Sequence, residues 1–206
     1  MSLPCPSFKV VILGDSSVGK TSLVHRFTTS EFDNQLSSTI GAAFITKELE
    51  SSDKSKRINL EIWDTAGQER YKSLTPMYYR NSKVALVCYD LHNPSTFDKA
   101  LYWIDQLKLN NETNSEIKIY LIGTKSDLVT SATGPPVTPT VPGVADFLEM
   151  NSGIKHFHTS AKSGEGIHDI FQDIINDIPP DFFERHYESL KDKVVLNRQF
   201  QGKSCC

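Results

Sequence analysis

Residues 8–24 read FKVVILGDSSVGKTSLV, an apolar run that ends in Gly14-Asp-Ser-Ser-Val-Gly19-Lys20-Thr21. This is the spacing G-x-x-x-x-G-K-[ST]. It constrains the fold because its chemistry requires a strand before the loop and a helix after it. The glycines let backbone N–H groups curl around phosphate oxygens with no side chain in the way. Lys20 adds a point charge against the outer phosphates. The Thr21 hydroxyl is suited to Mg²⁺, and the helix that follows presents its positive end. Asp15, Ser16, Ser17, Val18, Gly19, Lys20, Thr21 and Ser22 are therefore the candidate phosphate-binding residues. On its own the loop fits a kinase, an ATPase or a GTPase equally.

The rest of the chain alternates apolar, β-branched segments with helical patterns. Strands are expected at Phe8–Leu13, Ala43–Glu50, Arg57–Trp63, Val84–Tyr89, Ile117–Gly123 and Lys155–Thr159. The polar run SSDKSK makes a hairpin turn between the second and third. Phe97, Leu101, Ile104 and Leu107 recur at helical spacing, as do Ile167, Ile170, Phe171, Ile174, Ile175 and Ile178. The pattern predicts an α/β fold: a P-loop three-layer sandwich whose six-stranded, mostly parallel sheet has one antiparallel edge strand and helices on both faces. Two segments stand apart. Residues 129–143, VTSATGPPVTPTVPG, carry four prolines and two glycines and read as a loop. After Pro179-Pro180 the periodicity fades; FFERHYESL offers a helical turn or two and the remainder reads as a tail. The expected organisation is an N-terminal extension over 1–6, a nucleotide-binding domain over 7–178 and a tail over 179–206.

Composition excludes several alternatives. In 206 residues, 38% are hydrophobic and 23% charged, with a net charge of −3. That balance lacks the basic footprint of a nucleic-acid binder. No apolar run reaches a membrane span, and MSLPCPSFKV lacks the basic and apolar regions of a secretion signal. A cytosolic chain with reduced thiols is expected. Cys5 and Cys88 read as a terminal thiol and a buried strand residue. His156 and His158 alternate along a strand, a packing pattern rather than a metal-ligand spacing.

INLEIWDTAGQER supplies the next parts. Ile58, Leu60 and Ile62 alternate toward a core and Asp64 ends the strand, where its carboxylate can hold Mg²⁺ through water across from the phosphate loop. Gly67 can bring a backbone N–H close to a terminal phosphate. Gln68 can orient a water for in-line attack. With IWDTAGQERYKSL in view, the chain resembles the Ras-superfamily small GTPases, and the Rab family in particular, over residues 7–178. STIGAAF (Ser38–Phe44) and LTPMYYRNS (Leu74–Ser82) are most similar to the early-endosomal, Rab-five-like branch.

The resemblance implies several roles that spacing alone does not. Thr39 matches the switch threonine that reaches Mg²⁺ and the γ-phosphate in the GTP state. Phe44, Trp63 and Tyr78, with Ile40 beside them, match the surface presented to effectors. Thr124-Lys125-Ser-Asp127 matches the loop that reads guanine. There the aspartate accepts from the ring N–H and the exocyclic amine, and the lysine stem packs along the base. Ser160-Ala161-Lys162 matches the loop that donates a backbone N–H to the guanine carbonyl. Thr124 departs from the usual asparagine. Losing one or two neutral hydrogen bonds costs on the order of 1–3 kcal/mol if their partners stay buried, so retained guanine binding with faster exchange is expected. The Rac-like branch also carries threonine at this position.

The cofactors implied are GTP or GDP and Mg²⁺, with Lys20 and Gln68 in the catalytic roles. No arginine is placed to act in cis, so intrinsic turnover of order 10⁻⁴–10⁻³ per second is expected. The partners implied are an exchange factor, a GTPase-activating protein, a GDP-dissociation inhibitor, a prenylation escort and membrane-tethering effectors, for a monomer on the cytoplasmic face of endosomal membranes that cycles through the cytosol. GKSCC is not a C-a-a-X box; it resembles a double-cysteine end prenylated on Cys205 and Cys206, and two lipid chains give stable anchoring where one does not. Two other classes stay open at this stage: a GTP-binding scaffold with negligible hydrolysis, and a P-loop kinase or ATPase, against which Asp127 argues.

Overall fold

A computed structural model describes residues 5–67, 75–109, 117–129 and 141–189. In chain order the elements are β1 (Ser7–Gly14), α1 (Lys20–Thr29), β2 (Ala42–Glu50), β3 (Arg57–Thr65), α2 (Thr75–Tyr79), β4 (Val84–Asp90), α3 (Ser95–Leu109), β5 (Lys118–Thr124), α4 (Val144–Met150), β6 (Lys155–His158) and α5 (Ile167–Asn176). A further helix, α6, spans 180–189. The six strands form one sheet in the order β2-β3-β1-β4-β5-β6. Only β2 runs antiparallel, pairing with β3 from Ala42↔Thr65 to Glu50↔Arg57.

Both faces of the sheet are covered, which explains the continuous apolar runs. In β1, Val10 and Ile12 point into a core shared with α1 and α5, while Val11 and Leu13 point into a second core against α3 and α4. Parallel strands buried on both sides need apolar residues at every position. β4 is buried throughout. β2, at the edge, alternates instead and leaves Phe44 exposed. In the first core, Phe27 of α1 stacks on Phe171 of α5 at 3.5 Å.

The chain leaves β1 between β3 on one side and β4 on the other. Ligands of open α/β sheets bind at such a switch point, beyond the carboxyl ends of the strands. Gly14 makes the exit possible. Its φ is +143°, and a Cβ there would lie 2.3 Å from the Cys88 carbonyl oxygen.

The structure departs from the expected boundary at 178. The two prolines do not end the packed region; Pro180 opens α6, a position where its missing N–H costs nothing. Phe182 and Phe183 pack against the first core, and Phe182 meets Phe8 edge-on at 5.5 Å. Lys56 donates to the carbonyls of Asn176 at 2.6 Å and Ile178 at 2.7 Å, capping the end of α5. The Pro-rich segment lies largely outside the described residues, as do Gln68, Cys205 and Cys206.

Phe182→Ala removes a half-buried ring from this contact and is expected to lower stability by about 1–2 kcal/mol, less than the fully buried case. A drop in the urea midpoint checks it; an unchanged midpoint would show that α6 does not belong to the cooperative fold.

Candidate functional site

Four loops at the carboxyl ends of parallel strands, together with the loop between α1 and β2, enclose two adjoining clefts. The first, about 290 Å³, is lined by the phosphate loop, by Leu36–Thr39 and by Gly67. The second, about 250 Å³, lies between Phe32, Thr124–Leu128 and Ala161–Lys162. Gly19, Ser22 and Lys125 line both, so the clefts are continuous.

The phosphate loop ends at Gly19 in left-handed geometry, and α1 starts at Lys20 without a side-chain cap. Its first N–H groups are therefore left for a ligand. Ser17 is also left-handed, at φ 60°, which curls the intervening backbone. Lys20 is 5% exposed and its ammonium donates to the carbonyls of Gly14 at 3.0 Å and Asp15 at 2.6 Å. Burial pushes its pKa below the ordinary lysine value, against the pull of Cys88, Asp64 and Asp15. Asp15 and Val18 do not line the cleft. The Asp15 carboxylate accepts the Ser16 N–H at 2.8 Å. Val18 is fully buried in the core, so only its backbone is available.

Asp64 is 1% exposed at the end of β3. Thr21 Oγ1 donates to Asp64 Oδ2 at 2.6 Å and lies 2.7 Å from Thr39 Oγ1. Burial pushes the Asp64 carboxyl above the usual carboxylate range, a tendency the Thr21 and Thr39 hydroxyls and Lys20 oppose. Its Oδ1 is buried with no hydrogen-bond partner among the described residues. A buried carboxylate with an orphaned oxygen, beside two hydroxyls, is an all-oxygen set suited to a hard divalent cation such as Mg²⁺. Among the described residues no group of three His, Cys, Asp or Glu is placed to hold a metal. Hydroxyl ligands escape that signature. Gly67 packs on the phosphate loop so closely that a Cβ would meet Asp15 O at 2.3 Å and Ser16 N at 2.4 Å. No other residue fits there.

In the second cleft the Thr124 hydroxyl is buried, 2.5 Å from Val18 O and 2.8 Å from Tyr89 O. It keeps the tie between this loop and the phosphate loop. Its single proton is committed to those carbonyls, which leaves no donor for a ligand. Lys125 holds a left-handed backbone, φ 60°, and its ammonium pairs with Asp90 at 2.7 Å. Asp127 Oδ1 accepts the Ser160 hydroxyl at 2.6 Å. Ser160 itself is fully buried behind the cleft and acts on Asp127 rather than on a ligand; Ala161 and Lys162 line the wall.

At the outer edge, Ile40 is 82% exposed. Trp63 sits between Phe44, 5.2 Å away, and Tyr78, 5.8 Å away. Lys9 lies 4.9 Å over the Trp63 ring. His156 Nε2 lies 2.9 Å from the Tyr89 hydroxyl, inside the packing of the sheet.

A family model described as Ras family matches residues 9–180. The chain belongs to the Ras family. Curated relatives include the GTP-binding protein YPT52 of Saccharomyces cerevisiae, 41% identical over 95% of this chain and 89% of that protein. GTP-binding protein ypt5 of Schizosaccharomyces pombe is 43% identical, over 83% and 77%. Human Ras-related protein Rab-21 is 40% identical, over 82% and 70%. These relatives make the chain a Rab-like small GTPase, which binds GTP or GDP with Mg²⁺ and hydrolyses GTP. The six-stranded sheet with one antiparallel edge is the fold of that family.

Sequence reasoning missed Asp90, which anchors Lys125. Its one signal was a carboxylate at the end of a buried strand. It also missed Phe32, on a loop with no periodicity.

Thr124→Ala leaves the Val18 and Tyr89 carbonyls without this donor and should cost about 1–3 kcal/mol, while Thr124→Ser should retain most of it. Urea unfolding with saturating GDP tests the pair; equal midpoints for both variants would remove the hydroxyl from the account.

Proposed function

We propose that this Rab-like GTPase is a nucleotide-timed switch on endosomal membranes, with the first cleft holding the phosphates and Mg²⁺ and the second holding guanine. The observation that carries the reading is the pair of buried charges, Lys20 lining the first cleft and Asp64 hydrogen-bonded to Thr21 on its wall. A triphosphate and a cation are the complement such walls require.

Thr21, Thr39 and Asp64 are the residues that would hold Mg²⁺, which would offset charge on the outer phosphates. Lys20 stays charged once a phosphate oxygen faces it and stabilises the transferring phosphoryl group. Asp127, oriented by Ser160, accepts from the ring N–H and amine of guanine, and Ala161 donates its backbone N–H to the carbonyl oxygen. Lys125 is held by Asp90 so that its stem, not its charge, faces the base. Gln68 orients the attacking water. Thr39 belongs to the loop that leads into β2, so its contact with the metal couples the nucleotide state to the neighbouring Ile40, Phe44, Trp63 and Tyr78.

That surface is the proposed docking face for effectors. An exchange factor, an activating protein, a GDP-dissociation inhibitor and a prenylation escort would regulate the cycle. Prenylation of Cys205 and Cys206 would anchor the chain to the cytoplasmic face. Two chains give durable attachment, and roughly 90 Å of fully extended segment from Pro179 onward sets the upper limit of reach. The described helix α6 shortens that reach. The endosomal setting is supported by the likeness to YPT52, ypt5 and Rab-21.

Gln68→Leu is expected to slow single-turnover hydrolysis of pre-bound GTP at least about tenfold while GTP affinity stays within about twofold, because water positioning acts on the transition state alone. An unchanged rate would take Gln68 out of the mechanism. A wild type that turns over no GTP with or without an activating protein would favour the scaffold reading.

A further inference from the structure

Arg26 sits at the end of the second turn of α1, six residues after Lys20, and its guanidinium engages three carbonyl oxygens. Nε donates to Ala161 O at 2.5 Å and Nη2 to Lys162 O, across 135 and 136 residues of sequence. Nη1 donates to Ser30 O at 2.6 Å. Ser30 is the left-handed residue that ends α1, and its own N–H returns to Arg26 O at 2.9 Å. One rigid fork thus joins the helix that carries Lys20 and Thr21 to the loop that carries Ala161.

The rest of that loop is fixed on the other side of Ala161. Ser160 N–H donates to Glu165 O at 3.1 Å, Gly164 N–H donates to Ser160 O at 2.8 Å, and the Ser160 hydroxyl is held by Asp127. The Ser160 peptide is therefore set by the loop itself, and the Ala161 and Lys162 carbonyls are set by Arg26. The Ala161 N–H lies in the same peptide plane as the Ser160 carbonyl, so the loop sets its direction, while Arg26 sets where Ala161 sits against α1. A planar guanidinium can hold two successive carbonyls in one geometry, which a lysine ammonium cannot.

We propose that Arg26 is a positioning residue for guanine recognition: it fixes the Ala161 backbone so that the N–H meets the guanine carbonyl oxygen. This rests on the assignment of the second cleft to guanine. Arg26 touches no ligand; it acts through the 161–162 peptide and transmits the position of α1 to the base loop.

The distinguishing measurement compares release of GDP and of 6-thio-GDP from the full-length magnesium-bound protein. The thio analogue keeps the ring N–H and amine that Asp127 accepts, but its sulfur is a weak acceptor. In the wild type GDP should leave more slowly than 6-thio-GDP. Arg26→Ala should speed GDP release about tenfold, corresponding to roughly 1.4 kcal/mol, and 6-thio-GDP release much less, so the discrimination between them collapses. Arg26→Lys keeps the charge and stem, guards against a variant that fails to fold, and should show the same collapse. Release of both nucleotides accelerated by the same factor would show a general structural role and overturn the proposal, as would unchanged release of GDP. A wild type that retains neither nucleotide would refute the guanine assignment itself, a result separable from the behaviour of the variants.

Discussion

Burial of one ammonium and one carboxylate at neighbouring strand ends is the constraint on which the rest of the structure depends. Lys20 and Asp64 are both almost sealed from water. The ammonium donates to main-chain carbonyls and one oxygen of the carboxylate accepts from the Thr21 hydroxyl, neither of which neutralises charge. Desolvation works against the charged form of each. The fold tolerates this because the two elements that carry them are anchored elsewhere: β1 and β3 lie side by side in the centre of the sheet, and α1 is clamped to α5 through Phe27 and Phe171. The cost of burying these two charges would be offset when a phosphate faces Lys20 and a cation faces Asp64.

The second level of organisation is a set of ties that make two clefts one site. Thr124 joins the base loop to the phosphate loop through Val18. Ser160 joins the last strand's loop to Asp127, and Arg26 joins α1 to Ala161 and Lys162. Each uses a side chain to hold a backbone or carboxylate that faces the ligand cleft. A change at any tie should therefore move affinity without removing a direct contact. Asp90 plays the same part for Lys125.

Much of this was legible in the sequence where local rules apply. The six strands lie within two residues of their expected ends, because double-sided burial writes an unbroken apolar run and edge position writes an alternating one. The phosphate loop and Asp64 were readable from spacing and strand context. Thr39 was not: a hydroxyl in a polar loop has no pattern, and only resemblance picked it out. Arg26 was invisible for a different reason, since its partners lie more than a hundred residues away and are backbone atoms that any sequence would supply. Helix α6 runs longer than the turn or two that FFERHYESL offers, because Pro179-Pro180 reads as a stop, whereas proline is equally at home in a first turn, and because a half-buried Phe182-Phe183 pair is too short to show a period.

The central claim is that these loops form one pocket selective for a guanine nucleotide with magnesium. Isothermal titration of the nucleotide-free full-length protein with GTP and with ATP, both in magnesium buffer, tests it most directly. The account predicts tight binding of GTP and at least about a thousandfold weaker binding of ATP, because adenine leaves Asp127 and the Ala161 N–H unpaired in a buried site. Equal affinity for the two, or no binding of GTP, would contradict it.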